Sequence, residues 1–271
     1  VTAWTVAAEY FRRAFASRMI IVLVVVAALF VIISGCLFGS QLYAGGNAVA
    51  GEQQLDLARD VAFYMAVGWG VLYAVMLAMS AAARPLEDGR AAFLLAKPVR
   101  RGEVLFGQLL GVFLTVLATV AGLGLIASAL SLIKTHTFPA TLWLGLAVST
   151  LSFALVAVFV VFLSLFVPRI VAGLMGIILY ALSMPAASSD LRDFMTEGYR
   201  KVGMDFPWYV RWGSEIYFAA VPPVAGVQVR AAELLKLNWW GFDGWMTLAT
   251  AGVYVVVFGV AAWALYARRD V

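Results

Sequence analysis

Apolar runs separated by short polar segments are the main pattern of this chain. Six runs stand out, at residues 19–39, 61–83, 104–133, 138–167, 170–187 and 245–267. A helix needs about 20 mostly apolar residues to cross the ~30 Å hydrocarbon core of a bilayer. All six therefore read as candidate transmembrane helices. The third and fourth exceed that length and should tilt or extend past the lipid. The fifth is short and carries Pro185, which predicts an early break. None holds an Asp, Glu, Lys or Arg in its interior.

The polar segments have patterns of their own. In residues 1–18, Trp4, Ala7, Ala8, Phe11, Ala14 and Phe15 recur at helical spacing, with Arg12, Arg13 and Arg18 beside them. This predicts an amphipathic helix lying in the membrane interface. Residues 40–60 read as a polar loop and 134–137 as a turn. Residues 188–244 are long for a connection and hold two helical patterns. One runs through Leu191, Phe194, Met195 and Val202, with Ser188, Ser189 and Asp190 as N-caps. The other spans 227–237, after a stop at Pro222-Pro223. An interfacial helix packed on lipid is the default reading of this segment. Trp208, Tyr209, Trp212, Trp239 and Trp240 suit an aromatic belt.

Composition supports a membrane class. The chain has 271 residues, 64% hydrophobic and 13% charged, with mean hydropathy +0.95. Soluble domains carry about 25% charged residues. The 24 glycines suit close helix approach in lipid. Cys36 is the single cysteine, which excludes an intrachain disulfide and any cysteine-built metal site. His136, also single, reads as a surface residue, because a metal site needs three or four ligands. No cleavable signal pattern opens the chain, and Val1 in place of Met implies a processed or trimmed start.

Charge sets the orientation. With the N-terminus in the cytoplasm, the cytoplasmic segments hold eleven of the 19 Lys and Arg but only five of the 15 acids. That is the positive-inside arrangement. Both termini are then cytoplasmic, 188–244 is extracytoplasmic, and the charge of +4 reflects topology rather than a nucleic-acid surface. The arrangement places residues 84–103 in the cytoplasm, with Arg84, Arg90, Lys97, Arg100, Arg101, Glu87, Asp88 and Glu103 between two spans. Glu87 and Asp88 favour the positive end of a short helix over 90–96, and Pro98 turns the chain. The result is a charged ledge that can dock a soluble partner, with Phe93 and Leu94 as apolar contacts. An ordinary positive-inside loop accounts equally well for the spacing alone.

The segment resembles the signature region of ABC transporter permeases of the type-2 exporter class. The residues that carry the resemblance are Glu87, Gly89, Leu94-Leu95, Pro98, Arg100 or Arg101, and Gly107. The rest of the layout agrees: an interfacial helix, six spans and a large outer loop between the last two. Two departures stand out. The family's Thr or Ser after the glycine is replaced within EDGRA, and Gln108 stands where a Lys often follows Gly107. Length and layout also resemble the permease associated with maturation of nitrous oxide reductase.

The resemblance implies a single all-α polytopic domain that pairs with a second copy or a homologue. It also implies two docked ABC ATPase subunits, with Glu87, Asp88, Gly89, Leu94, Leu95, Pro98, Arg100 and Arg101 as the ATPase-coupling contacts. ATP and Mg would belong to the partner, and this chain needs no cofactor. The sequence has no GxxxxGK[ST] phosphate loop. Its charge-free spans lack the titratable groups that ion-coupled transporters place at membrane depth.

Gly107-xxx-Gly111 offers a helix-packing face, for which close contact within the chain is the default. Phe63, Tyr64, Trp69, Tyr73 and Trp143 offer an apolar path, with core packing and interface anchoring as the default. The expected function is a permease that exports an amphipathic or bulky solute, with a periplasmic partner or a gate at 188–244. The alternative is a structural anchor that docks soluble partners without transport. An intramembrane enzyme is disfavoured, since no Ser/His/Asp group, HExxH or paired intramembrane carboxylates appear.

Overall fold

A computed structural model of the chain describes residues 3–37, 43–44, 47–48, 51–87, 101–136, 138–187, 212, 216–217, 221–236 and 244–268. Among them are eight helices: α1 (Ala3–Ala16), α2 (Arg18–Leu37), α3 (Gly51–Glu87), α4 (Arg101–Thr135), α5 (Ala140–Ser164), α6 (Arg169–Ala187), α7 (Val224–Lys236) and α8 (Trp245–Arg268). A two-residue antiparallel pair, β1 (Tyr43–Ala44) with β2 (Asn47–Ala48), lies between α2 and α3.

Each predicted apolar run falls on one helix, and the differences lie at the ends. Helix α3 starts at Gly51, so the expected polar loop over 40–60 gives way to helix in its second half. The stretch EQQLDLAR consists, apart from Asp56, of good helix formers, and it lengthens the helix before the apolar run. Helix α6 runs through Pro185 to Ala187 rather than breaking early. A proline this near a helix end removes only one backbone bond from the last turn. Helix α4 stops at His136, whose φ of 54° and N–H donated to Leu132 O (3.0 Å) close the helix in a left-handed cap.

Among the described residues, four helical stretches are long and apolar enough to cross a bilayer: Arg59–Ala81, Gly102–Ile133, Ala140–Ser164 and Trp245–Ala267. Helices α1 and α2, bent by 68° at their junction, meet the same test when taken together, giving up to five. Helix α6, over Arg169–Met184, is apolar but shorter.

The core is built from α3, α4 and α5. Gly70 lets Phe153 and Val120 close over α3, where a Cβ would sit 2.7–2.8 Å from both side chains. Phe63, Tyr73, Leu105, Leu123 and Leu155 are fully buried in the same core. Buried hydroxyls return to their own helices: Thr115 Oγ1 donates to Gly111 O (2.7 Å), Thr119 Oγ1 to Thr115 O (2.8 Å) and Ser149 Oγ to Gly145 O (2.9 Å). This satisfies polar groups where water is excluded. Helices α2, α6 and α8 instead turn Val22, Val25, Ile170, Leu174, Met246, Val253, Val256 and Val260 outward. Soluble monomers rarely expose contiguous apolar patches beyond a few hundred Å², so these faces belong against lipid.

The aromatic residues do not line one path. Phe63 and Tyr73 lie in the core and Trp69 packs between Phe30 and Tyr73 (ring centroids 6.0 and 6.5 Å). Trp143 Nε1 donates to Ser128 Oγ (3.0 Å), and Tyr64 is exposed.

Candidate functional site

Two polar constructions position the ends of the bundle. The first lies where α3 finishes and α4 begins. Helix α1 packs across the first turns of α4, and two glycines allow it. A Cβ on Gly107 would sit 2.6 Å from Ala3 O and 2.8 Å from Val6 Cβ, and one on Gly111 would sit 2.8 Å from Tyr10 Cβ and 3.0 Å from Ala7 O. The predicted Gly107-xxx-Gly111 face is therefore used inside the chain, against the N-terminal helix. From the same helix Tyr10 reaches α3, its hydroxyl 2.7 Å from Leu77 O and 2.8 Å from Ser80 Oγ. Ser80 Oγ also reaches Leu77 O, at 2.8 Å. Two hydroxyl protons serve this triangle of oxygens: one is donated to the carbonyl, the other to the neighbouring hydroxyl. Gly102, in the first turn of α4, lies directly under the Trp263 indole of α8.

Helix α1 thus ties the end of α3 to the start of α4. Glu87 is the last residue of α3 and Arg101 the first of α4. Asp88, Gly89, Leu94, Leu95, Pro98 and Arg100, with the short helix expected over 90–96, lie outside the described residues. The clamp holds α3 at Leu77 and Ser80 and α4 at Gly107 and Gly111, on the two helices that lead into and out of residues 88–100. Tyr10 was missed by sequence reasoning. It is the polar residue on the stripe Ala3, Val6, Ala7, Tyr10, Ala14, whose small side chains signal close packing.

The second construction lies at the far end. Tyr217 OH donates to Leu182 O, Pro222-Pro223 turns the chain, and α7 runs back along α5. Backbone meets backbone where Gly145 faces Ala231 O, 3.1 Å from a Cβ placed there. Helix α7 is not an interfacial helix on lipid, as expected for this part of the chain. Val224, Ala225, Val227, Ala231, Leu234 and Leu235 are buried, mostly against α5 and α6. The helix is amphipathic, with Val224, Val227, Ala231, Leu234 and Leu235 on one face and the Arg230–Glu233 pair on the other, and its apolar face meets the bundle instead of lipid. The helix predicted through Leu191 to Val202 lies outside the described residues, as do Trp208, Tyr209, Trp239 and Trp240, while Trp212 is exposed.

Gln228 locks α7 in place. It is 2% exposed and sits beside Ser152, roughly 18 Å along α5 from Ala140 at 1.5 Å per residue. Tyr180 OH donates to Gln228 Oε1 (2.8 Å), and Gln228 Nε2 donates to Ser152 Oγ (3.3 Å). The amide orientation follows from the network. Ser152 gives its proton to Ser149 O (2.7 Å), so it can only accept from Gln228. Ser183 Oγ accepts from Ala225 N (3.0 Å) and donates to Tyr180 O (2.7 Å), which satisfies one free N–H at the start of α7. Sequence reasoning missed Gln228 too. The signal is a lone amide in the apolar run VAGVQV.

Among the described residues no three His, Cys, Asp or Glu gather as a metal site. His136 is exposed at the end of α4. The geometry holds helices at fixed spacing and presents apolar faces to lipid, which defines a multi-pass helical membrane protein. The chain belongs to the ABC-2 transporter family: the profile described as ABC-2 family transporter protein matches residues 4–271. The protein is thus the membrane component of an ABC transporter, a family that implies association with ABC ATPases. No curated protein matches the chain.

Proposed function

We propose that the chain is the permease subunit of an ATP-driven exporter, coupled to separate ATPase subunits through residues 84–103. The observation that carries this reading is the clamp of α1 on α3 and α4. A push on the segment joining Glu87 to Arg101 reaches two core helices at once, because Tyr10 and the Gly107 and Gly111 contacts tie their ends together. In this reading α2 and α6 are the first and fifth of six spans, and α1 lies at the cytoplasmic face of the inner membrane with both termini. Two permease copies pair and engage two ATPases that bind ATP and Mg. In this reading the solute is amphipathic or bulky. Residues 188–244 face the outside, as a gate or a docking surface for a periplasmic protein.

The test is co-purification and ATPase coupling. Reversing charge at Glu87 and Asp88, or replacing Leu94 and Leu95 by Asp, should release the ATPase or make its hydrolysis insensitive to solute. Intact binding and coupling in these variants would remove the segment from the mechanism.

A further inference from the structure

Helix α1 has three faces, and one of them has a partner that the packing leaves unassigned. At about 100° per residue, Ala3, Val6, Ala7, Tyr10 and Ala14 form one stripe, which is held by α4 and α3 through Gly107, Gly111 and Leu77. Trp4, Ala8, Phe11 and Phe15 form a second stripe, with Trp4 63% and Phe15 36% exposed and the Phe11 and Phe15 rings 4.9 Å apart. The third stripe is mostly polar: Thr5, Glu9, Arg12 and Arg13, with Ala16.

Because the first stripe is fixed to the bundle, α1 cannot roll, and the apolar second stripe must lie toward lipid. The two arginines then separate. Arg13 stands on the edge of the polar stripe that adjoins the bundle, and its Nε pairs with Glu9 Oε1 at 2.6 Å. Arg12 stands on the edge that adjoins Ala8 and Phe15, where lipid meets water. Among the described residues Arg12 forms no ion pair, and neither does Arg18, which begins α2 just past the bend.

We infer that Arg12, supported by Arg18, is a recognition site for the headgroup of an anionic phospholipid. The guanidinium matches a phosphate oxygen pair in two-pronged geometry. The acyl chains of the same lipid would lie along Trp4, Phe11 and Phe15. A basic residue near an anionic leaflet contributes about fivefold in binding. The site lies on the helix that ties α3 to α4, so lipid composition would bear on the clamp itself. The inference rests on the packing of α1 and not on the transport reading, so either can fail alone.

The experiment uses the full chain in vesicles of phosphatidylcholine with spin-labelled phosphatidylglycerol or spin-labelled phosphatidylcholine as probe. The wild type should prefer the anionic probe, and Arg12→Gln should lower that preference about fivefold. Arg12→Lys should retain part of it, and the charge-neutral pair Glu9→Gln/Arg13→Gln, away from the site, should retain all of it. Equal preference in wild type and Arg12→Gln would overturn the site. So would competition by inorganic phosphate at millimolar level, which would mark a free-anion site. Loss of a bound ATPase in Arg12→Gln with lipid preference unchanged would assign the residue to a protein contact instead. Arg12 is exposed and outside the core, and a monodisperse elution profile checks that the variant folds.

Discussion

Gln228 offers the sharpest energetic test, because its two partners sit on different helices. Replacing it with Leu removes the acceptor of Tyr180 OH at 2.8 Å and a donor to Ser152 Oγ at 3.3 Å, at a site 2% exposed. An orphaned buried hydroxyl costs about 1–3 kcal/mol. Side-chain hydrogen bonds between membrane helices couple more weakly, by about 0.6 kcal/mol on average and about 1.7 at most, because the freed groups find other partners. Gln228→Leu should therefore destabilise by about 1–3 kcal/mol, and Tyr180→Phe by a similar or smaller amount. The double variant should fall short of the sum by about 0.6–1.7 kcal/mol. The Ser152→Ala pairing, across the longer contact, should couple at the low end. Unfolding in mixed micelles by a graded denaturing detergent measures each cycle, and hydrogen exchange over α7 should rise in the single variants. Additivity within about 0.3–0.5 kcal/mol for Tyr180 and Gln228 would refute the lock.

Three further outcomes follow from the packing. Gly107→Ala and Gly111→Ala should each cost about 1–3 kcal/mol, since the added carbon meets backbone oxygen or Tyr10 within 3.0 Å. Gly122→Ala, with nothing within 4 Å, should be neutral or stabilising by up to about 1 kcal/mol, and thermal unfolding separates the two groups. Tyr10→Phe should cost about 0.5–1.5 kcal/mol, since Ser80 keeps its own bond to Leu77 O, and under the proposed coupling it should weaken the response of the ATPase to solute more than its binding. Gly145→Val should loosen α7 from α5, because even a Cβ lies 3.1 Å from both Ala231 O and Phe63, and exchange at Val224–Lys236 reports it.

The apolar runs were legible because crossing lipid is a local requirement. Each span must be apolar and about 20 residues long, whatever its neighbours do. For the same reason the six runs match α2 to α6 and α8 within a few residues, apart from the long extensions of α3. The family is legible as well, through the residues between Glu87 and Gly107, and the match over residues 4–271 agrees with it. The assignment of faces was not legible. Trp4, Ala7, Ala8, Phe11, Ala14 and Phe15 read as one lipid-facing stripe, but Ala7 and Ala14 turn to α4 while Trp4 and Phe15 turn outward. In lipid both destinations are apolar, so hydropathy cannot tell a packed face from a solvated one. Size decides it, through a groove that Gly107 and Gly111 open on another helix. The same ambiguity placed residues 227–237 on the membrane surface, whereas Gly145 makes room for α7 inside the bundle. The sequence by itself determined that this chain lives in a membrane, which of its stretches are apolar helices and to which family it belongs. Tertiary structure alone decided that α1 clamps α3 to α4 and that Gln228 reaches Tyr180 and Ser152, because those contacts join residues 48 to 104 positions apart whose pairing no local pattern encodes.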